Sequence, residues 1–222
     1  MTSGLVLSYN KCGRTWIRAF MIVYERLTGM SAKIYYKHKP FTKSPEKKRL
    51  LLVRDPCDTL VSLYFHYKYR SRINRKRAEN MDIKSFIRSF HGAISISTSW
   101  REWLKVDVEQ LEVKYEDLFN CIWEEILEWF KIEVDKNAML KADETCKFDN
   151  IRNNLDMFKD QWGGHFLGKE NGIWTAHPKN LESHKFRRGK VGGYVDYLSA
   201  GDIDYIRKQV PEAARWYNSY AG

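Results

Sequence analysis

The chain has 222 residues and a mass of 26.4 kDa, enough for one domain with a real core and too little for two of ordinary size. Its 43% hydrophobic content, with 8 Trp, 13 Tyr and 11 Phe, excludes a disordered tail or a fibrous repeat. Lys plus Arg exceed Asp plus Glu by 38 to 28, a net charge of +10 that favours an anionic partner without saying which.

In chain order, residues 4–8 predict a short buried strand and residues 9–14 a polar turn. Residues 15–28 predict a helix, with Trp16, Phe20, Val23 and Leu27 at helical spacing and Gly29 as the stop. The basic, aromatic stretch 33–45 reads as a loop. Residues 49–53 predict a second buried strand, and Asp55 and Pro56 open a helix through Val61 and Phe65, Pro being suited to a first turn. Residues 82–104 predict one or two helices, 111–115 alternate like a third strand, and 122–130 return to helical period. Residues 150–185 read as long loops, and 199–217 as a helix interrupted at Pro211. The alternation of strand and helix implies an α/β fold, a central parallel sheet with flanking helices. Without repeats or a linker, residues 1–222 read as a single domain.

No apolar run approaches the roughly 18–20 residues of a membrane helix, and the chain start has no basic leader, so neither secretion nor a membrane span is expected. Cys12, Cys57, Cys121 and Cys146 show no paired spacing, which points to reduced thiols in a cytoplasm. The histidines other than His38 form no metal-spaced set, and no metal is expected.

Three segments carry possible chemistry. The turn Tyr9, Asn10, Lys11, Cys12, Gly13, Arg14, Thr15, Trp16 feeds a helix N-terminus, whose free N–H groups and dipole suit a phosphate or sulfate. It is not a Walker A loop, since no hydroxyl follows the Lys to hold magnesium. Alone, it is as well explained by an ordinary turn with solvated cations. Arg54 and Ser62 could grip one phosphate from two sides, though Arg54 could equally pair with Asp55 or Asp58. Arg187, Arg188, Gly189, Lys190, Gly192 and Gly193 form a basic, glycine-rich loop able to wrap a phosphate, or else a solvated turn.

Together these segments resemble the cofactor site of sulfotransferases that use 3′-phosphoadenosine 5′-phosphosulfate (PAPS). Residues 9–16 are similar to that family's Tyr-Pro-Lys-Ser-Gly-Thr-Thr-Trp phosphosulfate loop. Arg54 and Ser62, followed by Leu63, Tyr64 and Phe65, resemble its 3′-phosphate segment, and residues 187–192 its Arg-Lys-Gly-x-x-Gly loop. Tyr115, Glu116 and Asp117 resemble a segment whose Tyr lines the adenine pocket. The matches keep family order over most of the chain.

The resemblance implies a P-loop-NTPase-like sulfotransferase fold and a soluble enzyme that moves a sulfonate from PAPS to an acceptor hydroxyl or amine. The product nucleotide is 3′,5′-diphosphoadenosine (PAP), and displacement is in line, as in phosphoryl transfer. It implies Lys11 at the leaving phosphate, Cys12, Gly13, Arg14 and Thr15 at the phosphosulfate, and Trp16 and Tyr115 around adenine. Arg54, Ser62, Arg187, Arg188 and Gly189 would hold the 3′-phosphate. His38, before Lys39 and Pro40, fits the family's His-x-Pro base segment and is the candidate general base. Lys33, Lys37, Lys39 and Lys43 would, if close, keep it neutral. Read alone, it is a surface imidazole.

The departures are Asn10 for Pro, Cys12 for Ser, Arg14 for the first Thr, Asp55 for the commoner Asn, and Tyr36 for the Lys two before the base. Arg14 either reaches the sulfonate or pairs with a neighbouring carboxylate. The basic run 68–77 is a solvated face or a rim for an acidic acceptor. Two rivals stand beside this reading. A P-loop-like nucleotide kinase would need the missing Walker pair. A basic nucleic-acid-binding module would explain the charge but not the ordered motifs, so no nucleic acid is expected.

Overall fold

Among the described residues of the computed structural model, four strands form one all-parallel sheet in the order β2-β1-β3-β4. They are β1 Ser3–Ser8, β2 Lys33–Lys37, β3 Lys48–Val53 and β4 Gln110–Lys114. The residues described are 3–38, 48–71, 78, 80–105, 108–153, 180, 182 and 189–220. Beyond their first residues β1 and β3 are buried throughout, which is why both read as continuous apolar runs rather than alternating ones.

The stretch expected to be a loop from residue 33 is corrected for its first five residues, which form edge strand β2. Ile34, Tyr35 and Tyr36 are good strand formers, half-buried beside β1, while Lys33 and Lys37 stay exposed at the two ends. Charge on an edge strand discourages further pairing, and it also hides the apolar pattern from a sequence reading. Residues 39–45 of that stretch lie outside the described residues. The register pairs Leu7 with Lys37 and Ser8 with Leu52, so β1, β2 and β3 end along the same edge of the sheet. Ligands of open parallel sheets bind outside such carboxyl ends.

Two compact units are present. The first comprises residues 1–55 and 98–147, the second residues 56–97 and 148–222. In the first unit, helix α1 (Arg14–Thr28) ends at Gly29, whose φ of 71° allows its N–H to reach the Glu25 carbonyl at 2.9 Å. It buries Trp16, Ile17, Phe20, Val23 and Tyr24. Phe20 stacks on Trp123 of a later helix, Trp123–Trp129, with ring centroids 4.0 Å apart.

The helix Lys136–Thr145, which the sequence reading did not single out, packs on α1. Its N-cap Asp135 accepts a bond from Ala138 N–H at 3.0 Å, and the Tyr24 hydroxyl fixes its entry. That hydroxyl donates to the Glu133 carbonyl at 2.7 Å and accepts from Asp135 N–H at 2.8 Å.

In the second unit, α2 (Pro56–Tyr69) packs against the helices Ile83–Arg88 and Ala200–Gln209. The latter starts in a capping box of Ser199 and Asp202. The buried Asp202 carboxylate also accepts from Arg88 Nη1 at 2.7 Å. Residues 82–104 contain two helices, Ile83–Arg88 and Ala93–Leu104, and the break expected at Pro211 is where Pro211–Arg215 tightens into a 3₁₀ turn. Residues 150–153 close a short helix, Phe148–Asn153, while the loops expected over 154–179 lie outside the described residues. Among the described residues no helix is long and apolar enough to cross a membrane.

Candidate active site

The turn between β1 and α1 contains two left-handed backbone positions, Lys11 at φ 72° and Gly13 at φ 97°. Gly13 is needed there twice over. It adopts a conformation that a side chain disfavours, and a Cβ would sit 2.5 Å from the Tyr115 ring. Gly13 is also the N-cap of α1, so no side chain caps the helix, and its first turn carries no acidic residue. The positive end of the helix therefore meets no counter-charge of its own sequence.

Arg54 follows β3 and braces this turn. It is only 8% exposed, and its Nη1 donates to the Lys11 carbonyl at 3.1 Å while the guanidinium lies 4.2 Å from the Tyr115 ring centroid. Tyr115 is thus pressed between Gly13 and Arg54. Trp16 and Tyr115, 7% and 6% exposed, meet edge to face at 6.0 Å. Phe119 closes on both, 4.7 Å from Trp16 and 5.5 Å from Tyr115, yet keeps 46% of its surface exposed. Edge contact leaves no parallel slot between Trp16 and Tyr115, so the solvent-facing member of the cluster is Phe119. Sequence reasoning missed it, although it stands four residues after Tyr115 on the 3₁₀ turn Tyr115–Asn120. Cys12 is fully buried with Sγ toward the Asn10 carbonyl, and half-buried Thr15 lies in the first turn of α1.

His38 directly follows β2, beside the end of β1. Its Nδ1 lies 3.0 Å from the Ser8 carbonyl oxygen and its Nε2 lies 2.5 Å from Arg14 Nη2. A guanidinium can only donate, so Nε2 accepts and the ring proton sits on Nδ1, donating to Ser8. Desolvation, then the Arg14 guanidinium and more weakly Lys11, push the imidazole down to about 4, against the opposing hydrogen bond to Ser8. The cations that keep His38 neutral are thus Arg14 and Lys11, not the nearby lysines of the strand; Lys39 and Lys43 lie outside the described residues.

Arg14 itself is half-buried and pushed down to about 10, mainly by burial, with Arg18 adding to the effect. It pairs with no carboxylate among the described residues, and its Nη1 is buried without a hydrogen-bond partner there. The carboxylate-pairing option is therefore not realised among the described residues.

In the second unit, Asp58 is 3% exposed and pairs with no cation among the described residues. Its carboxylate accepts from the backbone N–H groups of Gly192 at 2.7 Å and Tyr194 at 3.0 Å, fixing the glycine-rich loop. Sequence reasoning had Asp58 only as a possible partner of Arg54. Gly192 and Gly189 have φ of 71° and 60°, and a Cβ on Gly189 would meet the Phe148 ring at 2.5 Å. Ser62 is half-buried on α2 in the same unit, whereas Arg187 and Arg188 lie outside the described residues. All four cysteines are free thiols, and among the described residues no group of three or more His, Cys, Asp or Glu side chains could hold a metal.

Residues 23–215 match the family model for the sulfotransferase domain. The chain belongs to the sulfotransferase family. As a sulfotransferase it is a transferase, and the matched span begins after the turn at 9–16, so that turn is understood from its own geometry. Its structure is similar to that of mouse sulfotransferase SULT7A1 complexed with PAP, at a TM-score of 0.65 and 18% identity, covering 99% of this chain and 86% of that one. At that identity the likeness carries the fold, which is P-loop-NTPase-like. No curated protein matches this sulfotransferase significantly.

Proposed function

We propose that this sulfotransferase uses PAPS as donor and transfers the sulfonate to an acceptor hydroxyl, or an amine, with PAP as product nucleotide. The observation that carries the reading is the turn at β1–α1. A helix start without side-chain cap or acidic first turn, and a half-buried Arg14 that lacks a carboxylate partner among the described residues, form a set of donors beside Lys11. An oxyanion satisfies that set, and a phosphosulfate group fits its chemistry.

When bound, PAPS supplies an activated sulfonate on a phosphate leaving group. Lys11 places positive charge where the leaving oxygen gains negative charge, and the N–H groups of the α1 start add partial charges. Arg54 holds the Lys11 carbonyl and so sets the shape of the turn. His38, protonated on Nδ1 and aimed by the Ser8 carbonyl, offers Nε2 as acceptor for the proton of the incoming hydroxyl. Trp16, Tyr115 and Phe119 supply the aromatic surface for adenine. Arg54, Ser62, Arg187, Arg188 and Gly189 take the 3′-phosphate, a role that rests on the motifs they occupy. The reaction needs no metal, and the enzyme works in a reducing, cytoplasmic setting that keeps its thiols free. One sulfotransferase domain, 1–222, spans both compact units, in keeping with a family match that runs through segments of each.

Calorimetry with PAP and 5′-AMP tests the reading. Losing the 3′-phosphate removes charge-assisted contacts of about 1.5–3 kcal/mol each, so PAP is expected to bind roughly 10- to 100-fold tighter or more. Equal affinities would overturn the PAPS assignment.

A further inference from the structure

The Arg14–His38 contact has a consequence for the base itself. In this arrangement the one lone pair with which His38 can take a proton, on Nε2, is filled by Arg14 Nη2 at 2.5 Å. The other nitrogen is committed to Ser8. His38 is therefore oriented and neutral but closed. Arg14, meanwhile, is a cation whose nearest hydrogen-bond partner is a neutral ring. Arg18 stands near without compensating it, and its second terminal nitrogen, Nη1, is buried and unsatisfied among the described residues. A guanidinium bonds an oxyanion far more strongly than an imidazole, often through two parallel N–H groups. Arg14 has both terminal nitrogens to offer: one unused, one lent to His38.

We propose that Arg14 is an oxyanion-operated latch on His38: an oxyanion arriving at the guanidinium takes over the Nη2–H that now fills the Nε2 lone pair and leaves that lone pair open. The exchange moves no electrons and no proton. One hydrogen bond to a neutral nitrogen breaks, and a charge-assisted bond to oxygen forms. The oxyanion comes either from the donor's phosphosulfate or from an acidic group on the acceptor. In the first case the base is released only when the donor is in place. In the second, Arg14 selects acidic acceptors. The inference rests on the proposed function, in which His38 is the base, and Arg14 acts through it as a positioning residue.

The test reads His38 directly. Protein labelled with ¹⁵N-histidine is titrated by NMR, with the signal assigned by its loss in His38→Asn. In the free protein His38 is expected to protonate near 4, as burial first, then Arg14 and Lys11, oppose the imidazolium. Arms with PAP, inorganic sulfate, 4-hydroxybenzoate and its neutral analogue 4-hydroxybenzamide are run singly, and the last three also with PAP present. A rise in the His38 midpoint of about one unit or more with PAP or sulfate supports the latch and names the donor as source. A rise with 4-hydroxybenzoate but not with the amide supports it and names the acceptor. Arg14→Thr should show the raised midpoint without any addition, and no anion should move it further.

An unchanged midpoint in every wild-type arm overturns the proposal, as does an Arg14→Thr protein that titrates like wild type. Failure of PAP to bind in parallel calorimetry would instead remove the PAPS reading. The sulfate and hydroxybenzoate arms without PAP would still decide the latch.

Discussion

At the residue scale, the protonation of His38 follows from its neighbours rather than from imidazole alone. A histidine held below its ordinary value stays neutral as pH falls through about 6.5 and gains its proton only near 4. A base must be neutral, so kcat/KM, which reports the free enzyme, is expected to hold level well below pH 6 and to fall as pH approaches about 4. If Arg14 lets go in the working complex, the acid limb of kcat should lie higher than that of kcat/KM. Paired pH–rate profiles check this, and an acid limb of kcat/KM near 6.5 would mean that burial, Arg14 and Lys11 do not act on His38 as described. The same scale explains the loop residues that tolerate no side chain: Gly13 faces Tyr115 and Gly189 faces Phe148, each leaving 2.5 Å where a Cβ would go.

At the element scale, each unit has a buried side chain that ties a loop near the proposed site to a regular element. Arg54, just past β3, holds the β1–α1 turn through the Lys11 carbonyl. Asp58, in the first turn of α2, holds the 192–194 segment through two backbone N–H groups. Removing the acceptor in Asp58→Ala leaves both half-buried donors without it. A bond to a charged group is worth about 1.5–3 kcal/mol, so a loss of at least that size is expected in denaturant unfolding at unchanged m. Asp58→Asn, which keeps one acceptor oxygen, should recover part of the loss. Because the loop also carries Gly189 and follows Arg187 and Arg188, the alanine variant should bind PAP more weakly than wild type. Wild-type stability in Asp58→Ala would show that the two bonds contribute nothing net.

At the scale of the whole molecule, an excess of ten positive charges raises the local concentration of anionic ligands. In the proposed site, side-chain cations and helix N–H groups would face the anion and give the charge developed in the reaction a counterpart without an ion. Donor-dependent sulfonation of a hydroxyl acceptor, followed by mass shift, is therefore expected to keep its full rate in excess chelator. Loss of the rate with recovery on adding magnesium would favour a kinase-like mechanism.

The amino-acid order alone determined the class of fold, since buried strands and amphipathic helices carry their periods locally and alternate along the chain. It also made the turn proposed to bind an anion legible as a candidate, because Gly13, Lys11 and a helix start lie side by side in sequence. The resemblance of its ordered motifs to one family was legible for the same reason. What it could not determine depends on partners far apart in the chain. Arg14 and His38 are 24 residues apart, Arg54 and Lys11 are 43, and Asp58 and Gly192 are 134. Strand β2 was hidden because an edge strand with charged ends has no apolar period to read, and only pairing with β1 makes it a strand. That pairing sets His38 beside Ser8 and Arg14. The tertiary structure therefore decided which nitrogen of His38 is protonated and which cation bonds the other, since hydrogen bonds and local charge act through space and not along the chain.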